Sequence, residues 1–172
     1  MIRIGLLSDT HGYLDPTLEA HFVECTEIWH AGDIGSLEVL DELISWGKPV
    51  RAVFGNIDSH EIRHETAEDL IWDSGGVSVL MTHIAGYPGR YTTRVKALIE
   101  AHKPGLVVCG HSHILRVIYD QQFGHLHINP GACGIQGLHQ VRTAIRFTIS
   151  GERISGLQVI ELGKRGTGHT SQ

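Results

Sequence analysis

The stretch Ile2-Arg3-Ile4-Gly5-Leu6-Leu7-Ser8-Asp9-Thr10-His11 is a short, mostly apolar run that ends on a small hydroxyl residue and leads at once into Asp9 and His11, side chains able to bind a metal ion. The same pattern recurs down the chain. Ile28 to Ala31 leads to Gly32-Asp33, Val50 to Phe54 to Gly55-Asn56, Val77 to Met81 to Thr82-His83, and Leu106 to Cys109 to Gly110-His111 and His113. Short apolar runs bounded by turn residues read as strands buried on both faces. In open α/β sheets, ligands bind just beyond the carboxyl ends of such strands. Asp9, His11, Asp33, Asn56, His83, His111 and His113 are therefore expected to converge on one crevice. Each has an ordinary alternative, as a turn cap or a satisfied polar residue. The joint placement at strand ends argues against that alternative.

Outward from these runs, the first half alternates strands with helices, which favours a mainly parallel sheet with helical crossovers. Asp15-Pro16 is expected to open a first helix as N-cap and N1, with Leu18, Phe22 and Cys25 inward. Ser36 is expected to cap a second, with Leu37, Leu40, Leu43 and Ile44 inward and Gly47 and Pro49 as its stop. A third is expected from about Tyr91 to His102, with Val95, Leu98 and Ile99 on one face and Pro104 beyond. The second half reads as antiparallel strands: Ile114 to Tyr119, His125 to Ile128, an alternating run from Arg142 to Ile149, and a last strand around Ile154 to Leu162. It is expected to form a second sheet packed on the first, one domain over residues 1–162, followed by a disordered polar tail over 163–172.

Composition narrows the function classes. At 172 residues and 41% hydrophobic content the chain suits one soluble domain. A formal charge of −5 and a pI near 6.2 argue against a general grip on nucleic acid. Cys25, Cys109 and Cys133 lack paired spacing and read as reduced, mostly buried thiols of a cytosolic protein. With neither a signal-peptide pattern nor a long apolar span, no membrane role is expected. Whether the chain forms a homo-oligomer stays open.

In order and spacing, Asp9-x-His11, Gly32-Asp33, Gly55-Asn56, His83 and Gly110-His111-Ser112-His113 resemble the calcineurin-like metallophosphoesterase superfamily, over residues 2 to about 131. Asn129-Pro130-Gly131 and the lack of large insertions bring the chain nearest its small single-domain phosphodiesterase branch. The resemblance implies an α/β fold, a four-layer α/β/β/α sandwich of two mixed sheets with helices outside. It implies a binuclear centre in which Asp9, His11, Asp33 and His113 hold one divalent ion and Asp33, Asn56, His83 and His111 hold the other, with Asp33 bridging. Catalysis would run through Asp33, Asn56 and His83 by way of a metal-bridging hydroxide that attacks phosphorus in line. Four imidazoles among the ligands disfavour Mg²⁺ and Ca²⁺ and suggest Mn²⁺, with Fe, Zn²⁺, Ni²⁺ or Co²⁺ as alternatives. Two carboxylates against two dications leave a positive pocket, which suits a small phosphate ester.

Two positions depart from the family pattern. Ile57 stands where many members carry a His that protonates the leaving group, so Asp58, which would orient that His, lacks its expected partner. Ile84 follows His83 where the small branch often has Gly. Arg90, in the loop Ile84 to Tyr91, is a candidate for pairing with a substrate phosphate, and Tyr13 for lining the same mouth. His30 and Ser112 read as support for the ligands or as packing, and His60 as a surface loop residue. Rival readings are a phosphomonoesterase on the same site and a non-catalytic scaffold, since the retromer scaffold subunit resembles this fold. A nuclease would need a basic path that the composition does not advertise.

Overall fold

The computed structural model describes residues 1–166. β1 (Ile2–Leu7) lies at the centre of a five-stranded sheet. β2 (Glu27–His30) and β3 (Val50–Ala52) extend this sheet in parallel on one side. On the other side β9 (Val141–Ser150) pairs antiparallel with β1, and β10 (Arg153–Lys164) pairs antiparallel with β9. The second sheet has the order β4-β5-β6-β8-β7. Its members are β4 (Asp69–Ser74), β5 (Val77–Thr82), β6 (Leu106–Val108), β7 (Leu115–Asp120) and β8 (His125–Pro130). Within it β5, β6 and β8 are parallel, and the edge strands β4 and β7 are antiparallel to their neighbours. This is the expected α/β architecture of two mixed sheets, but the division of strands differs from the expectation. The last two strands complete the first sheet, while β4 and β5 from the first half start the second. Alternation along β9 specifies a buried face, not the strand beside it.

The main core lies between the sheets. Ile4 and Leu6 of β1 meet Val79, Met81, Leu106, Val108 and Ile128 across this layer. Trp29 closes it, edge-on to Phe147 of its own sheet at 5.7 Å and to Trp72 of the other at 4.9 Å. Alternation turns the intervening residues outward. Leu7 packs with Leu18, Phe22 and Leu43 on the outer face, and Gly5 lies so close to the Phe22 ring that a Cβ there would come within 2.7 Å.

Four helices form among the described residues where three were expected, and the expected ones are shorter. α1 is one turn, Leu18–His21, and Asp15 does not cap it, because its carboxylate accepts from Thr17 and from the buried guanidinium of Arg142. α2 (Leu37–Ser45) turns Val39, Leu40 and Leu43 inward, whereas Leu37 and Ile44 are exposed. α3 (His60–Glu65) and β4 were not foreseen. α4 (Thr93–His102) is capped by Thr92 and ends on Lys103 in the left-handed conformation. All three cysteines are free and buried. β10 runs through Lys164, so Gly163 and Lys164 belong to a strand and not to the expected tail, and residues 167–172 lie outside those described. No helix among the described residues is long and apolar enough to cross a membrane.

Candidate metal centre

The loops after β1, β2, β3, β5 and β6 meet at one end of the sandwich. The first two are laced together: the Asp9 amide donates to the Gly32 carbonyl at 2.9 Å, the His11 amide to Asp33 at 3.0 Å and the Gly12 amide to Ile34 at 2.8 Å. The Gly110 amide donates to the His83 carbonyl at 3.1 Å, joining the loops after β5 and β6. These turns force side-chain-bearing residues into backbone space that normally favours glycine. Six described non-glycine residues have φ between +46° and +69°; Lys103 is a helix cap, and the other five are Asp9, His11, Asp33, His111 and His113. Each costs roughly 1–2 kcal/mol, and such strain collects at functional sites. Glycine is required beside them. A Cβ on Gly55 would lie 2.0 Å from Asp33 Oδ1, and one on Gly110 would lie 2.0 Å from Ser8 Oγ.

All seven expected residues come together here. Ligand-type atoms of Asp9, His11 and His113 lie within 4.8 Å of one another, as do those of Asp33, His83 and His111. Asn56 Oδ1 is 3.0 Å from His111 Nδ1. Asp33 stands between the groups, with Oδ1 3.2 Å from His83 Nε2 and Oδ2 3.5 Å from His11 Nε2. Burial pushes the Asp33 carboxyl up, but the neighbouring His83 and the Ile57 amide outweigh it and hold the group below its usual range.

Supporting hydrogen bonds decide which atoms face the cleft. Ser8 Oγ and the His111 amide both donate to Asp9 Oδ2, at 2.6 and 3.1 Å, so Oδ1 is left for the cleft. His83 Nδ1 is 2.7 Å from the Ala31 carbonyl, which can only accept, so this nitrogen donates there and Nε2 is the one that faces Asp33. The Gly134 carbonyl likewise accepts a hydrogen bond from His139 Nε2–H at 2.9 Å. Burial holds His139 below the usual imidazole range, hence neutral, so its Nδ1 accepts from His113 Nδ1 at 3.2 Å. His113 Nε2 is thereby the ring nitrogen that faces Asp9 Oδ1, 3.1 Å away.

Acceptors facing acceptors at these distances repel unless a proton or a cation lies between them. Asp9 Oδ1, His11 Nε2 and His83 Nε2 are buried with no aligned hydrogen bond, which is costly for polar atoms. The 3.2 Å approach of His83 Nε2 to Asp33 is a charge contact without hydrogen-bond alignment. Carboxylate and imidazole donors crowded in this way fit divalent transition-metal ions.

The remaining sequence candidates fall into place. His30 is fully buried, bonded to Thr10 Oγ1 at 2.9 Å and to the Gly32 amide at 3.1 Å, and burial drags it down to about 4. Asn129 donates to the Gly110 carbonyl and to Ser112 Oγ, pinning the loop that carries His111 and His113. Asp58 is not idle without a neighbouring His: its carboxylate accepts from the amides of Ile34, Gly35 and Gly55 at 2.7–3.1 Å. It thereby clamps the loops bearing Asp33 and Asn56. Ile57 and Ile84 are exposed at the rim, and His60 is exposed. Arg90 is exposed on its loop, and the Tyr13 ring lies over Arg142, 5.8 Å from the guanidinium carbon. The cations lining the recess beside Asn56 and His83 are Arg63 and Arg94. Sequence reading missed these two, as well as Ser8 and His139. Ser8 adjoins a ligand candidate and could have been suspected; His139 lies in an irregular loop that carries no periodic signal.

A family model described as the calcineurin-like phosphoesterase superfamily domain matches residues 2–152. No match was found among curated protein sequences. Similar solved structures include an archaeal phosphodiesterase, 22% identical with a TM-score of 0.74, covering 94% of this chain and 100% of that one. Vps29 of Entamoeba histolytica in complex with zinc is 14% identical with a TM-score of 0.71, covering 95% and 99%. A Streptococcus pneumoniae protein described as a predicted phosphoesterase is 21% identical with a TM-score of 0.67, covering 95% and 90%. At these identities the structural likeness carries the fold alone.

Proposed function

The chain belongs to the calcineurin-like phosphoesterase superfamily, and we propose that it is a phosphodiesterase working with two adjacent divalent metal ions. Asp9, His11, Asp33 and His113 would hold one ion, and Asp33, Asn56, His83 and His111 the other. The observation that carries this reading is the set of ligand-type atoms crowded together without aligned hydrogen bonds, above all Asp9 Oδ1, 3.1 Å from His113 Nε2. When bound, such ions supply Lewis acidity, lowering the pKa of water towards about 7 and neutralising phosphoryl charge.

The protein's own part is to orient and to exclude. Ser8 and the His111 amide fix the rotation of the Asp9 carboxylate, the Ala31 carbonyl fixes the His83 tautomer, and His139 fixes that of His113. Such supporting contacts raise ligand basicity, and their loss typically costs about 10–100-fold in metal affinity. His139→Ala is therefore expected to weaken Mn²⁺ binding about 10–100-fold by titration calorimetry. His139→Gln, which keeps an acceptor, should lose less. Equal affinity in wild type and His139→Ala would remove His139 from the site.

Ile57 bears no proton to give, and Asp58 is committed to three backbone amides. Protonation of the leaving group by a side chain is worth about 10²–10⁴-fold. Diesters with aryl leaving groups should accordingly turn over at least about 10²-fold faster than alkyl ones. Equal kcat values under chemistry-limited conditions would contradict this.

Metal analysis of protein purified without added salts, followed by assay of mono- and diesters after reloading with Mn²⁺, tests the proposal. Diester hydrolysis restored by the metal is the expected result. Preference for monoesters would favour a phosphomonoesterase on the same site, and no metal uptake with no hydrolysis would favour a scaffold of this fold.

A further inference from the structure

A cavity of about 240 Å³ opens directly beside His111. Its walls are Ile84 and Ala85 from the loop after β5, Tyr87 further along that loop, and Ile114 just before β7. Ile84 also lines the recess that holds Asn56 and His83, so the cavity adjoins the candidate metal centre. The departure from glycine at position 84 thus supplies a shared apolar wall. Ile84, Tyr87 and Ile114 are all exposed, Ile114 by 55%, which leaves apolar surface at the mouth of a polar centre.

The cavity is preformed. The loop folds back on itself, the Arg90 amide donating to the Tyr87 carbonyl at 2.8 Å and the Thr92 amide to Ala85 at 3.0 Å. Arg116, on the facing strand, lays its guanidinium over the Tyr87 ring at 4.4 Å and makes no ion pair with a described carboxylate. A planar guanidinium with one face on Tyr87 has a second face on which an aromatic ring can stack. His127 also lines the cavity, and Tyr91 Oη at 3.1 Å and Cys109 Sγ at 3.6 Å hold its ring in place. An apolar cavity of about 150 Å³ takes a benzene ring, so this one accommodates a substituted ring.

We propose that this cavity is the subsite for one ester group of the substrate and that it selects an aromatic group over a small alkyl one. The proposal rests on the phosphodiesterase reading above and adds the substrate class: aryl phosphodiesters. It also explains why the rim carries isoleucine at position 84, next to a ligand candidate.

The test is binding of diphenyl phosphate and dimethyl phosphate to the Mn²⁺-loaded protein by titration calorimetry, alongside hydrolysis of bis(4-nitrophenyl) phosphate. Both probes carry one negative charge, so the difference between them reads the ring. Diphenyl phosphate is expected to bind about thirtyfold more tightly. Ile114→Ser and Tyr87→Ala, both at exposed positions, should each cut that preference to about threefold. Similar affinities for the two probes in a protein that hydrolyses the nitrophenyl diester would overturn the subsite and leave the phosphodiesterase reading standing. A preference untouched by both substitutions would likewise overturn the subsite. No hydrolysis and no binding of either probe would overturn both readings.

Discussion

Asp33→Asn is expected to lower kcat/KM for phosphodiesters by at least about 10³-fold, a loss of roughly 4 kcal/mol of transition-state stabilisation, with little change in stability. In the proposed centre this carboxylate bridges the two ligand sets, with Oδ1 3.2 Å from His83 Nε2 and Oδ2 3.5 Å from His11 Nε2. An amide offers a single oxygen and no charge, so it cannot serve both. The fold should survive because Asn tolerates left-handed backbone at least as well as Asp, and Asp33 sits at φ +52°. Its Oδ1 accepts from the Ile57 amide at 3.1 Å, a bond that the amide oxygen of Asn can keep. The measurement is steady-state hydrolysis of an aryl diester together with a melting curve. Wild-type-like turnover in a well-folded variant would be incompatible with a bridging role.

Asp15→Ala should destabilise the protein by about 3–5 kcal/mol, because it strands a buried guanidinium. Asp15 Oδ2 meets Arg142 Nη1 at 2.6 Å, and neither side chain is exposed. Arg142 also donates to the carbonyls of Leu162 and Lys164, so this pair fastens the loop after β1 to the last strand. The melting temperature should fall by about 6–20 °C for a chain of this size. The pair also carries a pH dependence of defined sign. Burial raises the Asp15 carboxyl, but hydrogen bonds from Thr17 and Arg142 outweigh it and leave the group below its ordinary value of 3.8. A depressed carboxylate contributes stability above its unfolded pKa, and that contribution is lost as pH falls through the folded value. The acid limb of wild-type stability should therefore be steeper than that of Asp15→Ala. A loss under about 1 kcal/mol, as for an exposed pair, would contradict the buried role.

The site was more legible in the sequence than the topology around it. A buried strand must stop where the chain turns, so apolar runs that end on Gly32, Gly55 and Gly110 place the next residues at one rim whichever sheet they belong to. Sheet membership is decided by long-range pairing, and nothing in Val141 to Ser150 announces β1 as its neighbour. α3 escaped notice because six residues with one buried side chain, Ile62, give no helical period. β4 escaped because Leu70 and Trp72 are only half-buried among acidic neighbours on an edge strand. Asp15 resembled a helix cap because Asp-Pro commonly is one; its partner lies on β9, far along the chain. The supports of the centre, His139 and Asp58, act through contacts made only after folding.

Anomalous diffraction from crystals soaked in Mn²⁺ tests the central claim most directly. Two peaks are expected, about 3.5–4 Å apart, one on each side of the Asp33 carboxylate, with His113 at the first and His83 at the second. A cleft without manganese, or a single ion that leaves the Asp9 or the His83 cluster without density, would contradict the binuclear account.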